Sequence, residues 1–379
     1  MKRIKLKSDK DSDLRKRLKS AETIVELKKP LYFIDSGSWT LNLALTNNVD
    51  HGYPVGRVIN PIGDYSTGKT LLACEAVNSV WYHEHLIKKK KVKIYYDEPE
   101  HAFDHRLAVQ FKMPLEHIIG LREDLTNYKR KKGEKPFNRS RTVEDMYNNL
   151  DWISKNENNY DIIVYIIDSL DTLKDAREIK HLAKKGIEKQ DMGGSKARVL
   201  SQLFRNCIEG INNSNILLII LSQIRKKIGI AFGDPNTRAG GKALDHYANS
   251  IFQLREIGKI QSDYKMNQGI EVGVRIKKNK TGSRYNDVEF AILHGWGIDN
   301  FTSAVNFLWD NINDEIKIKN YEKAHNMIKF QGEKVSRQDL IEICAEDKAV
   351  ANIIKTMLQD CWNQMVEQSE IKRKPKWGG

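Results

Sequence analysis

Eight consecutive residues, Gly63-Asp64-Tyr65-Ser66-Thr67-Gly68-Lys69-Thr70, satisfy the pattern G-x-x-x-x-G-K-[ST] at every fixed position. The residue types follow from the chemistry of holding a triphosphate. Glycine lets successive backbone N–H groups turn inward on phosphate oxygens, and Lys69 can reach the β- and γ-phosphates. The Thr70 hydroxyl can ligate Mg²⁺. A second carboxylate for that metal is expected downstream. The run 161–167 is almost wholly apolar and β-branched and ends at Asp168, with Ser169 after it. That is the composition of a central strand buried on both faces, with an acid at its carboxyl end.

These groups need elements to position them. Residues 56–62 form a short apolar strand leading into the loop, and Leu71 opens the helix behind it. Residues 92–96 make the next strand, expected one strand over from the loop strand. It ends in Asp97-Glu98-Pro99-Glu100, which places carboxylates where an open α/β sheet holds its ligand. Residues 143–152 read as a helix, a second helix follows the stretch 172–191, and 215–221 reads as another buried strand ending at Ser222-Gln223. On the second helix Arg198, Ser201 and Arg205 are spaced i, i+3, i+7 and share one face. That face is suited to phosphate, although a solvated helix face is the plainer account. Residues 172–191 read as loop. A glycine- and lysine-rich loop covers 224–241, and strands near 250–254, 270–277 and 287–293 are closer to alternation. Helical periodicity returns at Thr302 and again over 340–366. The expected class is α/β, with a mostly parallel central sheet.

Composition narrows the partners. The 379 residues carry a formal net charge of +13, which favours a polyanion, nucleic acid before an anionic membrane. No apolar run is long enough to span a bilayer. Four widely separated cysteines without a C-x-x-C pair suit a reducing compartment, and a cytoplasmic location is expected. Residues 129–141 contain seven basic residues and one acid, and read as an exposed insertion.

Further stretches give these features a context. The chain also contains Asp35-Ser36-Gly37-Ser38, Glu100-His101-Ala102-Phe103-Asp104, Met192-Gly193, residues 222–229, Phe232-Gly233-Asp234-Pro235, Gly240-Gly241 and Lys278-Asn279-Lys280. With the phosphate loop and the Asp168 strand, they make the chain resemble the bacterial RecA recombinases, including phage-encoded relatives, along most of its length. The resemblance implies a P-loop NTPase core that hydrolyses ATP with Mg²⁺ held by Thr70 and Asp168. It further implies helical filaments, or rings, on single-stranded DNA, homologous pairing with a duplex, and strand exchange without sequence preference. A hexameric helicase or helicase loader of the same fold is the alternative.

Roles follow from the same resemblance. Glu100 matches the carboxylate that activates the attacking water, Gln223 the γ-phosphate sensor, and Asp104 an adenine-side contact. Lys278 and Lys280 match the pair that reaches the neighbouring subunit's nucleotide. Met192 and Ile228 correspond to wedges between bases. Arg198, Ser201, Arg205, Arg225, Lys226, Lys227, Gly240 and Gly241 correspond to the DNA-contacting set. Residues 1–34, with the β-prone stretch 23–27, are expected to be an oligomerisation segment. Residues 35–305 form the expected core, 306–370 a small α-rich domain, and 371–379 a basic tail. Departures are also visible. The 97–100 stretch is one residue longer than usual, so Glu98 rivals Glu100. Leu107 replaces an aromatic, His246 stands at an interface position, and a basic end replaces an acidic tail.

Overall fold

The computed structural model describes residues 32–124, 129, 137–179, 195–226, 236–238, 241–262, 264–282 and 287–370. Residues 33–379 group as one compact unit and 1–32 as another, of which only Tyr32 is described. The stretch 23–27, Met192, Lys227, Ile228, Gly240, most of the basic insertion and the tail lie outside the described residues.

The strands are β1 (Phe33–Ile34), β2 (Tyr53–Pro54), β3 (Val58–Gly63), β4 (Val92–Asp97), β5 (Ile118–Ile119), β6 (Ile162–Ile167), β7 (Ile216–Ile220), β8 (Ser222–Lys226), β9 (Asn236–Arg238), β10 (Ser250–Gln261), β11 (Asn267–Asn279), β12 (Val288–Leu293) and β13 (Gly297–Asp299). The large sheet runs β13-β12-β11-β10-β3-β7-β6-β4-β5. From β10 to β5 every pairing is parallel, and from β10 to β13 every pairing is antiparallel. Composition explains the division. β6 (IIVYII) and β7 (ILLII) are buried at every residue, as strands with helices on both faces must be. β11 comes closer to alternating buried and exposed positions, because one face meets water.

One expectation is corrected. β4 is not one strand over from the loop strand, since β7 and β6 lie between them. Their unbroken apolar sequences claim the sheet's centre, and β4 takes an outer place where Lys93 can stay half-exposed.

Helices α1 (Trp39–Thr46), α2 (Lys69–Asn78), α3 (His105–Gln110), α4 (Val143–Asn156), α5 (Ser195–Asn212), α6 (Gly241–Tyr247) and α7 (Asn300–Asn311) surround the sheet. On one face Val143, Met146, Leu150 and Ile153 of α4 and Leu200, Phe204 and Ile211 of α5 pack against Ile163, Tyr165 and Ile167 of β6. The intervening Ile162, Val164 and Ile166 are buried outside that cluster. The α2 helix continues as a π-helical run over Ser79–Ile87.

Beyond α7, strands β14 (Tyr321–Ala324), β15 (Met327–Phe330) and β16 (Glu333–Val335) form an antiparallel sheet that hydropathy does not announce. Helices α8 (Arg337–Glu346) and α9 (Lys348–Gln368) follow. α9 returns to α1: Val49 N donates to Gln359 Oε1 at 2.8 Å, and Trp362 Nε1 donates to Asn47 Oδ1 at 2.9 Å.

Candidate functional site

The phosphate loop leaves β3 and enters α2 as its motif requires. Ser66 has φ 58° and Gly68 φ 89°, which turn backbone amides toward one cradle. A side chain at Gly68 would place its Cβ 2.5 Å from Ile292 Cδ1, and one at Gly63 would meet Thr67 Oγ1 at 2.6 Å. Asp64, Tyr65 and Ser66 are exposed at the tip, and Thr67 is buried, donating to Asp64 O at 2.9 Å. Lys69 Nζ donates to the same carbonyl at 2.5 Å. Burial lowers the Lys69 pKa, and the nearby carboxylates of Asp168, Asp171, Asp64 and Glu100 act the other way. Four acids therefore converge on one ammonium.

Thr70 Oγ1 donates to Asp168 Oδ2 at 2.9 Å, and Tyr96 OH donates to the same oxygen at 2.8 Å. Desolvation raises the Asp168 pKa, and these two donors partly offset it. The hydroxyl and carboxylate assigned to Mg²⁺ are thus adjacent, on hard oxygen ligands of the kind that ion prefers.

The rival acids after β4 separate cleanly. Glu98 is 4 % exposed, and its Oε1 accepts from Ala102 N at 2.9 Å. Burial raises its pKa. Glu98 therefore braces its own loop. Glu100 is exposed, and its Oε1 accepts from Ser169 Oγ at 2.7 Å, Thr172 Oγ1 at 3.0 Å and Gln223 Nε2 at 3.5 Å. Although β4 lies three places from β3, this loop still reaches the ends of β6 and β8.

From Gln223 the network runs toward the candidate nucleic-acid face. Gln223 pairs with Gly63 of β3, and its N–H donates to Asp171 Oδ2 at 2.6 Å. β8 and β9 form the paired root of the glycine- and lysine-rich loop, Ile224 opposite Arg238. Lys196, in the first turn of α5, donates to the carbonyls of Leu170 at 2.6 Å and Asp171 at 3.2 Å. Arg198, Ser201 and Arg205 line one hollow with Ala243, His246 and Tyr247 of α6. The i, i+3, i+7 face therefore meets the helix that follows the glycine- and lysine-rich loop, and His246 joins it. Residues 225, 226 and 241 fall in β8 and α6.

Asp104 stands apart from this cluster. It caps α3, accepts from Arg106 N at 2.9 Å and pairs with the Arg106 guanidinium, which holds its carboxyl below the usual range. Leu107 lies on the same short helix, half-buried.

Lys278 and Lys280 lie elsewhere again. Lys278 is opposite Ile251, which neighbours Asn60, three residues before Gly63. At about 3.3 Å per residue they sit roughly 10 Å back along the sheet, toward the end opposite this chain's own phosphate loop. Lys278 Nζ donates to the carbonyls of Asp245 and His246, where α6 ends, and Lys280 is exposed.

Residues that sequence patterns missed are Tyr96, Asp171, Thr172 and Lys196. Asp171 and Lys196 act through backbone groups, which leave no side-chain spacing to read. Among the described residues no His/Cys/Asp/Glu cluster forms a further metal site, and no helix is long and apolar enough to cross a membrane.

A mostly parallel α/β sheet with a phosphate loop at one strand end, and an acid beside that loop's threonine, defines a P-loop nucleotide-binding protein. The family model for the RecA N-terminal domain matches residues 137–299, which hold Asp168, Gln223, Lys278 and Lys280. The chain is also similar to Protein RecA of Colwellia psychrerythraea (strain 34H), with 29% identity over 353 residues, covering 90% of this chain and 89% of that protein.

Proposed function

We propose that this chain is an ATPase whose hydrolysis depends on single-stranded DNA. It assembles on that strand as a helical filament and exchanges it with a homologous duplex. The observation that carries the reading is the shared network at Glu100. One carboxylate oxygen is held by Ser169, by Thr172 and by Gln223, and Gln223 is the second residue of the strand that roots the glycine- and lysine-rich loop. A change at the γ-phosphate therefore has a short mechanical route to the surface that would meet DNA.

Each residue then takes a role. The amides from Gly63 to Thr70 and the Lys69 ammonium bind the phosphates, Leu71 and Ser169 close the cradle, and Asp104 borders the base. Glu100 takes a proton from the attacking water. Thr70 and Asp168 would hold Mg²⁺, which when bound neutralises charge on the phosphate oxygens. Lys278 and Lys280 lie toward the sheet end opposite their own loop, and in this reading they serve a neighbouring chain's nucleotide as arginine fingers do. Arg198, Ser201 and Arg205 contact the DNA backbone, which gives affinity without sequence preference and steep salt dependence. The protein then works as a cytoplasmic homo-oligomer.

Phosphate release from ATP, measured with and without single-stranded DNA alongside strand exchange into homologous duplex, tests this reading. DNA-stimulated hydrolysis and exchanged product are expected. Hydrolysis indifferent to DNA, or unwinding of a forked duplex without exchange, overturns it.

A further inference from the structure

A second concavity, of about 480 Å³, lies away from the nucleotide site, between β11 and β12, α7 and the carboxyl end of α9. Its apolar wall includes Phe307, Trp362, Met365 and Val366, and its acids are Glu271, Asp287, Glu289 and Asp310. Among the described residues no salt bridge reaches any of these four carboxylates. The Glu289 pKa is raised by burial first, then by Glu271 and Asp310, with Arg255 opposing. The groove is thus a region of accumulated negative charge beside apolar surface. It also receives the carbonyl end of a 21-residue helix, which favours cations.

We propose that this groove is the docking site for the chain's own basic segment, residues 371–379. Ser369, two residues before that segment, already lines the groove, so the segment begins within reach of it. Nine residues span up to about 30 Å when extended. The segment carries Lys372, Arg373, Lys374 and Lys376, no acid, and Trp377. Four cations therefore answer four carboxylates, and an indole answers the apolar wall. Because both partners are on one chain, the tether supplies a high effective concentration for contacts that are individually weak. On the DNA-binding reading above, a segment held here is withheld from phosphates. The docking itself does not depend on that reading.

Carbodiimide cross-linking of the full chain, as an equal mixture of light and heavy-nitrogen protein, tests the proposal by mass spectrometry. Links from Lys372, Lys374 or Lys376 to Glu289 or Asp310 within a single isotopic species are expected, and these should be lost as salt is raised. Links joining light to heavy chains would assign the groove to a second copy's tail, and links scattered over other surface carboxylates would remove the groove's role. Both results overturn the proposal. A variant in which Lys372, Arg373, Lys374 and Lys376 are all replaced by Gln leaves the groove's own residues intact. It should speed hydrogen exchange across β12 and α7, and unchanged exchange there would also refute docking.

Discussion

The two acids that follow β4 give the sharpest test of how the site is built, because isosteric changes only two residues apart should do opposite things. Glu98→Gln keeps an oxygen that can accept from Ala102 N and removes a charge from a carboxyl that is 4 % exposed. The lost charge assistance and the relieved desolvation oppose each other, so stability should move by only about 1 kcal/mol, and turnover should stay within about threefold. Glu100→Gln likewise keeps an acceptor for Ser169 and Thr172, so the loop should stay in place. It loses the basicity needed to take a proton from water, which costs about 10²–10⁴ in rate, or about 2.7–5.5 kcal/mol of barrier. The assay is steady-state phosphate release at saturating single-stranded DNA, with binding of a fluorescent ATP analogue as a control for the cradle. Glu100→Gln should bind the analogue normally and hydrolyse ATP poorly. Normal hydrolysis by Glu100→Gln, with loss in a fully folded Glu98→Gln, would refute the assignment.

Glu75 on α2 makes a pH prediction. Its side chain packs against Gly37 and Gly297, and burial first, then Asp35, pushes its pKa up to about 7 from an ordinary 4.5, with the Ile298 amide opposing. A carboxyl raised on folding contributes stability that is complete below the unfolded value and lost as pH rises through the folded one. Urea stability should therefore fall between pH 5 and 8, by up to about 3 kcal/mol from this group, and Glu75→Gln should remove that part of the slope. A slope unchanged in the variant would contradict it. Asp97 is fully buried and accepts from Ser140 N at 2.9 Å, Ser140 Oγ at 2.5 Å and Tyr165 OH at 2.6 Å. Tyr165→Phe should cost about 1–3 kcal/mol in urea denaturation, with hydrolysis by the folded protein unchanged.

Much of this site could be read from residue types alone. The phosphate loop declares itself because its glycines, lysine and threonine hold fixed positions, with Gly68 at φ 89°, and β6 and β7 declare themselves because a strand buried on both faces must be apolar throughout. The face formed by Arg198, Ser201 and Arg205 follows from helical spacing. Strand order was not legible: β4 is less uniformly apolar than β6 and β7, but that difference does not say how many strands separate it from the loop strand. Nor were β14 to β16, whose three or four residues each bury too little to stand out. The choice between Glu98 and Glu100 required the fold, because burial of one and exposure of the other depend on where the loop lands. The capping of α6 by Lys278 is a contact to carbonyls, which no residue pattern encodes.

The central claim is that each nucleotide site is completed by lysines from a neighbouring chain, and mixing two inactive variants tests it most directly. Lys69→Ala removes the cradle's cation but leaves Lys278 and Lys280 in place. A chain with Lys278→Ala and Lys280→Ala does the reverse. Random head-to-tail assembly of an equal mixture regenerates about a quarter of the sites intact. DNA-stimulated ATP hydrolysis should therefore recover to about a quarter of the unmodified rate on mixing. A mixture no more active than the sum of its two components would contradict the shared site.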